Sequence, residues 1–242
     1  MMQYFVQCNL KRGSIKMVSI TVIDLEQYGI SLREEKYART KIAILNLVLE
    51  KLEETSFDEI RIADVCREIG VSKRTFFNYF SSIHHVFFYL LQIWIIDTKN
   101  IVLQRHPVAG LESIRTAFED LGRKFAKQPK AAFQIFSSIF NADVETAKIG
   151  RLTKAEAILW GFDAMVSEEI PMLGFRKMLI CAIKNAKMAG ELSDNFDLTT
   201  IEFSLNSILI GVPFTLKDVG FTNISAVYKT QLDILWRGLK NI

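Results

Sequence analysis

Cysteine is scarce in this chain of 242 residues, with Cys8, Cys66 and Cys181 far apart and no C-x-x-C pair. Three scattered cysteines exclude a disulfide framework and a cysteine-based zinc site, and they are typical of the reducing cytoplasm. Histidine is equally scarce, and none of the three histidines has a carboxylate or a cysteine at metal-ligand spacing. We therefore predict a cytoplasmic protein with no metal and no other cofactor.

Proline and glycine are also few, at 4 and 12 residues against 18 phenylalanines, which argues against a turn-rich β-sandwich. The longest near-continuous apolar run, from Val86 to Ile96, is interrupted by Gln92 and stopped by Asp97. A membrane span needs about 20 apolar residues, so this run is too short, and the N-terminus does not resemble a signal peptide. No membrane partner is expected.

Neither sign of charge is in large excess. The chain has 30 Lys+Arg and 27 Asp+Glu, and a net charge of only +3 argues against bulk binding to nucleic acid. Residues 1–82 carry 12 basic and 11 acidic side chains, so this part is not basic as a whole. Residues 72–82, in contrast, contain two cations and no acid. A small, local nucleic-acid surface is therefore compatible with the composition.

Helical periodicity dominates the rest of the sequence. From Glu34 onward apolar residues recur at steps of three and four, and this period continues to the C-terminus. The pattern predicts an all-α fold of about nine helices, with no sheet. Residues 1–32 lack the period, so we predict that they form a loosely ordered extension. The first stripe consists of Ala38, Ile42, Leu45, Leu49 and Leu52.

Local signals mark several helix ends. Gly70 follows an apolar stripe, as a glycine just past the end of a helix should, and Ser72 is a good N-cap for the next helix. Thr153 and Glu156 have the spacing of a capping box. This box predicts a helix that carries Leu159, Phe162 and Met165.

The stretch FDEIRIADVCREIGVSKRTFFNYF, from Phe57 to Phe80, is the most informative in the chain. Two short helices flank a Gly-Val-Ser turn, which is the pattern of a helix-turn-helix. The second helix of that motif lies in the major groove of DNA. The stretch therefore predicts a DNA-binding module.

Projection of the second helix at about 100° per residue separates two faces. Phe76 and Phe80 face inward together, with Phe77 on the boundary. On the opposite arc, Arg74 can donate two hydrogen bonds to guanine and Asn78 can pair with adenine. The same arc carries Thr75 and Tyr79, which suit methyl or phosphate contacts. Lys73 projects near the inner arc, but it lies in the first turn, where its long side chain can swing outward to a phosphate. Three cations near the first helix are expected to neutralise the DNA backbone, and they are Lys36, Arg39 and Lys41.

The run from Ile62 to Phe80, IxxVCxxxGVSxxTFFxYF, resembles the N-terminal helix-turn-helix of TetR/AcrR-type transcriptional regulators. The resemblance extends over about residues 36–88. The segment AKMAGELSDNFD, from Ala186 to Asp197, resembles the turn before the last two helices of that family. The resemblance implies an all-helical homodimer with a three-helix DNA-binding head and a larger body for ligand binding and dimerisation. The domains it implies are a head at residues 33–82 and a body at residues 83–242.

Carried over by position, the resemblance assigns the DNA contacts to Ser72, Lys73, Arg74, Thr75, Asn78 and Tyr79. The chain departs from the family pattern at Phe77, where a tyrosine hydroxyl is common. It departs again at Ile83, where the family usually has lysine: either His84 substitutes for that lysine, or this phosphate contact is weak.

The body is rich in aromatic residues, which at helical spacing form either a plain core or the wall of an apolar ligand cavity. We expect a small apolar or aromatic effector there. The candidate ligand-binding residues are Trp94, Phe118, Phe136, Trp160, Phe162, Cys181 and Asn185. The last two helices are amphipathic, and the resemblance implies that they pair with a second copy of the chain.

Three functions stay open from the sequence. The first is a ligand-responsive repressor that binds a near-palindromic operator in double-stranded DNA as a homodimer. The second is a DNA-binding activator or DNA-organising protein without small-molecule control. The third is a helical lipid carrier or enzyme, but the chain has no G-x-S-x-G, no P-loop and no G-x-G-x-x-G motif, so catalysis is not expected.

Overall fold

The computed structural model of the chain describes residues 23–141, 150–165 and 170–240. Within these residues there are ten α-helices and no strand, so the predicted all-α fold is confirmed and the helix count is close to the nine expected. The helices are α1 (Leu32–Glu54), α2 (Ile62–Ile69), α3 (Lys73–Tyr79), α4 (Ile83–Arg105), α5 (Leu111–Lys127), α6 (Pro129–Asn141), α7 (Lys154–Leu159), α8 (Pro171–Met188), α9 (Leu198–Thr215) and α10 (Ile224–Leu239).

The described chain divides into two packing units. The first unit holds residues 23–90 together with 150–165 and Ile170, and the second unit holds residues 91–141 and 171–240. This division differs from the predicted one after residue 82, because the first two turns of α4 and the whole of α7 pack with the first unit. The DNA-binding, ligand-binding and dimerisation roles assigned to the two parts stay predictions.

In the first unit, α1 begins at a capping box. Ser31 Oγ accepts a hydrogen bond from the backbone N–H of Glu34 at 3.3 Å, and the Glu34 carboxylate accepts one from the N–H of Ser31 at 2.8 Å. These two bonds satisfy amide groups that the first turn of a helix leaves unpaired, so the helix starts slightly earlier than its apolar period. The predicted stripe lies on the buried side, with Ala38, Leu45, Leu49 and Leu52 buried and Ile42 half-buried.

The last part of the predicted N-terminal extension, residues 23–31, packs against α1 and α7. Leu25 and Ile30 are buried in an apolar cluster that spans α1 and α7. The expectation of a loose extension is therefore wrong for residues 23–31, because their apolar side chains have a partner surface more than 100 residues further along the chain. Residues 1–22 lie outside the described residues. The other members of the cluster are Ala38, Ala155, Ile158 and Leu159.

α7 is short, although its predicted N-terminal signal is present. Thr153 Oγ1 accepts from the N–H of Glu156 at 3.2 Å, and the Glu156 carboxylate accepts from the N–H of Thr153 at 2.8 Å. The helix ends at Leu159 because Gly161 adopts a φ of 76°, a left-handed conformation that terminates helices. The prediction that the same helix carries Phe162 and Met165 is therefore wrong.

In the second unit, α10 packs most extensively on α5. The Phe118 and Tyr228 rings meet edge to face, with centroids 5.4 Å apart. Gly122 faces Ser225, whose hydroxyl donates to the carbonyl of Glu119 at 3.1 Å. A residue without a side chain at position 122 thus lets the two helices approach closely.

A buried ionic cluster joins α4 to α5 in the same unit. The Asp120 carboxylate accepts from the Thr98 hydroxyl at 2.7 Å and pairs with Lys124, whose Nζ also lies 2.9 Å from Asp97. Burial raises the pKa of Asp120, but the charge of Lys124 and hydrogen bonds from Lys124, Thr98 and Arg123 outweigh it and leave this pKa below 3.8. Asp120 is therefore held in its charged form.

Two stretches of the described chain are long and apolar enough, by length and composition alone, to cross a membrane: Lys73–Arg105 and Leu198–Thr215. In their most apolar windows, 67% of the first is buried and 28% of the second. The core helices of water-soluble proteins pass the same test, so the finding is weak evidence for a span. It does show that the single run from Val86 to Ile96 understates the apolar length of α4.

Candidate nucleic-acid interface

The turn between α2 and α3 has the geometry that the sequence predicts. Gly70 adopts a left-handed φ of 75°, and its N–H bonds back to the carbonyls of Cys66 and Arg67. The N–H of Val71 also donates to the carbonyl of Cys66, at 2.9 Å. These bonds close the end of α2 and direct the chain into α3.

α3 starts at the predicted N-cap. Ser72 Oγ accepts from the N–H of Thr75 at 3.0 Å and lies 2.8 Å from the Thr75 hydroxyl. Two of the predicted DNA contacts are therefore engaged with each other. The Ser72–Thr75 pair holds the first turn of α3, and Thr75 is half-buried there.

The faces of α3 agree with the helical projection. Phe76 and Phe80 are buried, whereas Arg74 and Asn78 are exposed. Phe77, predicted at the boundary, is 53% exposed and belongs to the outer surface. Other outward residues are Ser72 and Lys73. One exposed arc of this helix thus presents a guanidinium, an ammonium and an amide beside an aromatic ring.

Tyr79 is less free than the other predicted contacts. Its ring lies against Tyr37 of α1, with centroids 4.5 Å apart and planes inclined by 50°, and it is half-buried. Burial raises the pKa of Tyr37, and the nearby Glu156 and Tyr79 add to the effect. α1 therefore fixes the direction of the Tyr79 ring at the end of α3. Sequence reasoning missed Tyr37, because the contact joins residues 42 positions apart.

His84 lies in the first turn of α4, and its ring is 5.0 Å from the ring of Phe57. The same phenylalanine contacts Phe87 of α4 at 5.6 Å. His84 is half-buried at this position, beside the helix end rather than on the exposed arc of α3. Its role as a substitute phosphate contact stays a prediction.

Of the three cations predicted to neutralise the DNA backbone, only Lys36 is exposed, and its ammonium group makes no ion pair within the described residues. Arg39 pairs with Glu35 at 2.7 Å. The prediction for Lys41 is wrong: its Nζ lies 2.7 Å from the buried carboxylate of Glu156, and its side chain is only 14% exposed. A lysine that neutralises a buried carboxylate is not available to a phosphate.

Comparison with solved structures finds proteins that resemble this chain. A protein of unknown function from Rhodococcus sp. RHA1 is 14% identical, the match covers 84% of this chain and 96% of that one, and the TM-score is 0.56. A TetR family transcriptional regulator from Chloroflexus aurantiacus J-10-FL is 19% identical over 90% of this chain and 98% of that one, with a TM-score of 0.44. No family model and no curated protein matches the chain. The first likeness shows a shared fold.

Five of the predicted ligand-binding residues lie in the second unit. Trp94 contacts Phe125 at a centroid distance of 5.7 Å, and Phe125 contacts Phe136 at 5.2 Å. Phe118 packs on Tyr228, as described above. Cys181 is exposed on α8, and Asn185 donates a hydrogen bond to the carbonyl of Ala109 at 2.8 Å. The three aromatic residues of this group are thus engaged in ring contacts of the core.

The other two candidates lie in the first unit. Trp160 donates its indole N–H to the Tyr89 hydroxyl at 3.0 Å, and Phe162 is half-buried beyond the end of α7. The seven candidates are therefore divided between two packing units. A shared cavity for all of them stays a prediction.

An open groove of about 510 Å³ runs along α9 and α10. Its walls include Phe203, which is 65% exposed, and Ile234, which is 59% exposed. None of the seven predicted ligand residues lines it. Sequence reasoning recognised both helices as amphipathic but not which residues meet in the groove, whose other members are Thr200, Ser204, Ser207, Ile208, Gln231 and Leu235.

Proposed function

We propose that this chain is a DNA-binding transcriptional regulator that represses by binding a near-palindromic operator as a homodimer. The observation that carries the proposal is the exposed arc of α3. Arg74 and Asn78 are the two side chains on that arc with the best geometry for reading bases, and Phe76 and Phe80 anchor the opposite face in the core. The capped turn from Gly70 to Ser72 presents this helix as a helix-turn-helix does.

The proposed contacts divide by chemistry. Arg74 reads guanine and Asn78 reads adenine in the major groove, while Lys73 pairs with a phosphate. Tyr79, held by Tyr37, directs its hydroxyl to the DNA backbone. Ser72 and Thr75 support the first turn, and the Thr75 methyl group suits a thymine.

Homodimerisation is proposed at the groove of α9 and α10. Two large apolar side chains there, Phe203 and Ile234, are more than half exposed, and a second copy of the same surface would cover both. A two-fold dimer presents two copies of α3 to two half-sites about one turn of DNA apart. Sedimentation should give twice the chain mass of 27.7 kDa for the wild type, and Phe203→Asp should give the monomer.

DNA binding is proposed to be controlled by a small apolar or aromatic effector whose binding releases DNA. The effector would act through α4, which begins in the first unit and ends in the second. One observation favours the second candidate, a regulator without small-molecule control: Trp94, Phe118 and Phe136 are packed against other rings. A screen of small aromatic compounds for release of a labelled duplex separates the two. Stoichiometric binding without turnover would favour a sensor over an enzyme.

The proposal includes a cytoplasmic location and no catalytic activity. The described residues contain no group of three or more His, Cys, Asp or Glu side chains arranged to hold a metal. Lipid-vesicle flotation tests whether the chain associates with membranes. The apolar stretches Lys73–Arg105 and Leu198–Thr215 would favour such association if they were exposed to lipid.

DNA binding is tested by selecting duplexes from a random pool with the wild-type protein and measuring dissociation constants for the selected sequence. We expect Arg74→Ala and Asn78→Ala each to cost about 1–3 kcal/mol and to relax specificity at one base position. Lys73→Ala should weaken binding to all sequences alike and reduce the salt dependence. Lys184→Ala, an exposed lysine on α8, is the matched control and should bind as the wild type does.

Unchanged affinity and unchanged base preference in both Arg74→Ala and Asn78→Ala would refute the assignment. Failure of the wild type to enrich any sequence would refute DNA binding itself.

A further inference from the structure

A buried ion pair stands behind the proposed DNA-binding surface. The Glu156 carboxylate on α7 is 1% exposed, and its nearest cation is Lys41 Nζ on α1, at 2.7 Å. Removing a carboxylate and an ammonium group from water is costly, and their pairing offsets part of that cost. The second carboxylate oxygen of Glu156 is occupied by the capping bond from the N–H of Thr153.

Helix α4 is the third partner in this cluster. Lys41 Nζ lies 4.2 Å from the centroid of the Tyr89 ring, a cation–π distance. The Tyr89 hydroxyl accepts the indole N–H of Trp160 at 3.0 Å. The cluster therefore joins α1, α4 and the segment around α7 within the first unit.

The same lysine reaches the end of the reading helix. Lys41 Nζ is 5.8 Å from the ring of Phe80, the residue that caps the C-terminus of α3, and Phe80 in turn contacts Tyr89 at 5.8 Å. One turn earlier on α1, Tyr37 holds Tyr79. The face of α1 that carries Lys41 therefore also fixes the last turn of α3.

The segment that supplies Glu156 is anchored independently of the ion pair. Lys154 Nζ donates to the carbonyl of Tyr28 at 2.7 Å, and the apolar side of α7 packs in the cluster with Leu25 and Ile30. We call residues 150–160 the strap. In the chain, the strap stands between α6 and α8, two helices that belong to the other packing unit.

We propose that the strap sets the affinity of this chain for DNA, with Glu156 and Lys41 as positioning residues for α3. Seating Glu156 against Lys41 holds α1 against Phe80 and Tyr89, and so fixes the direction of Tyr79 and the outer arc of α3. The inference depends on the proposed function, because its readout is DNA binding.

The first experiment measures dissociation constants for the selected duplex with Glu156→Gln. Glutamine keeps the shape and the capping acceptor but removes the charge, so it leaves the half-buried Lys41 ammonium group without its ion-pair partner. We expect affinity to fall about tenfold at a temperature where a melting curve shows the variant folded. Asp120→Asn, a matched loss of a buried paired carboxylate in the second unit, should lower the melting temperature and leave affinity unchanged.

A double-mutant cycle tests whether the pair acts as one unit. Lys41→Met should weaken DNA binding by a similar factor, and Lys41→Met with Glu156→Gln should weaken it no further than either change alone. Additive losses would show that the two residues act separately and would overturn the proposal. Equal DNA affinity of Glu156→Gln and the wild type would overturn it as well.

A second measurement follows the strap itself by fluorescence. The chain has three tryptophans, and Trp94→Phe with Trp236→Phe leaves Trp160 as a fluorescent reporter on the strap. If strap seating favours DNA binding, DNA binding must favour strap seating by the same factor. Titration with the selected duplex should therefore shift the Trp160 emission to shorter wavelength, and more strongly in Glu156→Gln, where the strap starts less firmly seated.

The outcomes distinguish failure of the proposed DNA-binding function from failure of the strap proposal. A wild type that selects no duplex refutes the proposed function. A wild type that binds its duplex with no change in Trp160 emission, and with Glu156→Gln equal to it in affinity, refutes the strap alone.

Discussion

The close approach of α5 and α10 at Gly122 gives a stability prediction that can be worked out from distances. A Cβ on Gly122 of α5 would lie 2.8 Å from Ser225 Oγ, 3.2 Å from Ser225 Cα and 3.2 Å from Tyr228 Cδ2. The hydroxyl can rotate away, but the backbone atom and the fully buried ring cannot easily do so. We therefore expect Gly122→Ala to force α10 away from α5.

The magnitude follows from three contributions. Overpacking of this kind costs about 1–3 kcal/mol. Rotating Ser225 forfeits its hydrogen bond to the carbonyl of Glu119, which is worth about 1 kcal/mol. Alanine recovers about 1 kcal/mol of helix propensity relative to glycine. We therefore expect Gly122→Ala to lower the free energy of unfolding by about 1–3 kcal/mol. For a chain of this size, Tm should then fall by about 2–12 °C.

The assay is thermal and urea unfolding at one fixed protein concentration, because the proposed dimerisation would make Tm depend on concentration. Gly238→Ala is the matched control: this glycine also lies in a helix, but a Cβ there meets nothing within 4 Å. The free energy of unfolding of Gly238→Ala should rise by up to about 1 kcal/mol. The reasoning is refuted if Gly122→Ala is as stable as the wild type or gains stability as Gly238→Ala does.

Three further predictions concern single side chains. Phe77→Tyr adds a hydroxyl to an exposed ring on the proposed DNA-binding face of α3, where it can donate to a phosphate, so affinity for the selected duplex should rise a few-fold, and an unchanged or weaker affinity would contradict this. Asp120 has a folded pKa below 3.8, so its contribution to stability is present above that pH and is lost as the pH falls through the folded pKa. Asp120→Asn should remove this part of the pH dependence of urea unfolding, and an identical dependence would contradict it. Burial raises the pKa of Cys66, whereas Cys181 is exposed, so iodoacetamide should modify Cys181 first in peptide mass spectra, and equal rates would contradict the packing.

The elements that sequence reasoning predicts best are those whose hydrogen bonds stay within three or four residues. Gly70, Ser72 and the Thr153–Glu156 capping box all behave as predicted, since each signal and its partner lie in one turn of chain. The end of α7 is the counter-example, because the left-handed Gly161 outweighed an apolar spacing that continues past it. Local polar signals therefore locate helix starts more reliably than periodicity locates helix ends.

Contacts between distant parts of the chain explain what the sequence does not reveal. Lys41 is placed correctly on α1, but its partner Glu156 is 115 positions away, so its role changes from phosphate neutralisation to a buried ion pair. Leu25 and Ile30 lack a helical period, yet they are buried because α7 covers them. Periodicity shows which face of a helix is apolar, but it does not show which element covers that face.

Aromatic residues show a second limit of the sequence. Trp94, Phe118 and Phe136 are predicted to be buried by their spacing, and they are buried. The same spacing suits both the wall of a cavity and a ring packed on a ring, and the structure shows ring contacts for all three. A function in ligand binding therefore needs an experiment with ligands, whereas the proposal for DNA binding starts from exposed polar groups that packing does not explain.

The small net charge constrains how such a protein would hold DNA. Lys73 and Arg74 are the two cations on the exposed arc of α3, and Lys36 is a third exposed cation on α1. Each phosphate contact contributes about −0.9 to the slope of log affinity against log salt, so one chain would bind with a shallow salt dependence and low affinity. Two chains double the number of phosphate contacts and of base contacts. The proposed dimerisation along α9 and α10 would therefore support the proposed DNA binding, since a second copy doubles the two cations that the exposed arc of α3 presents.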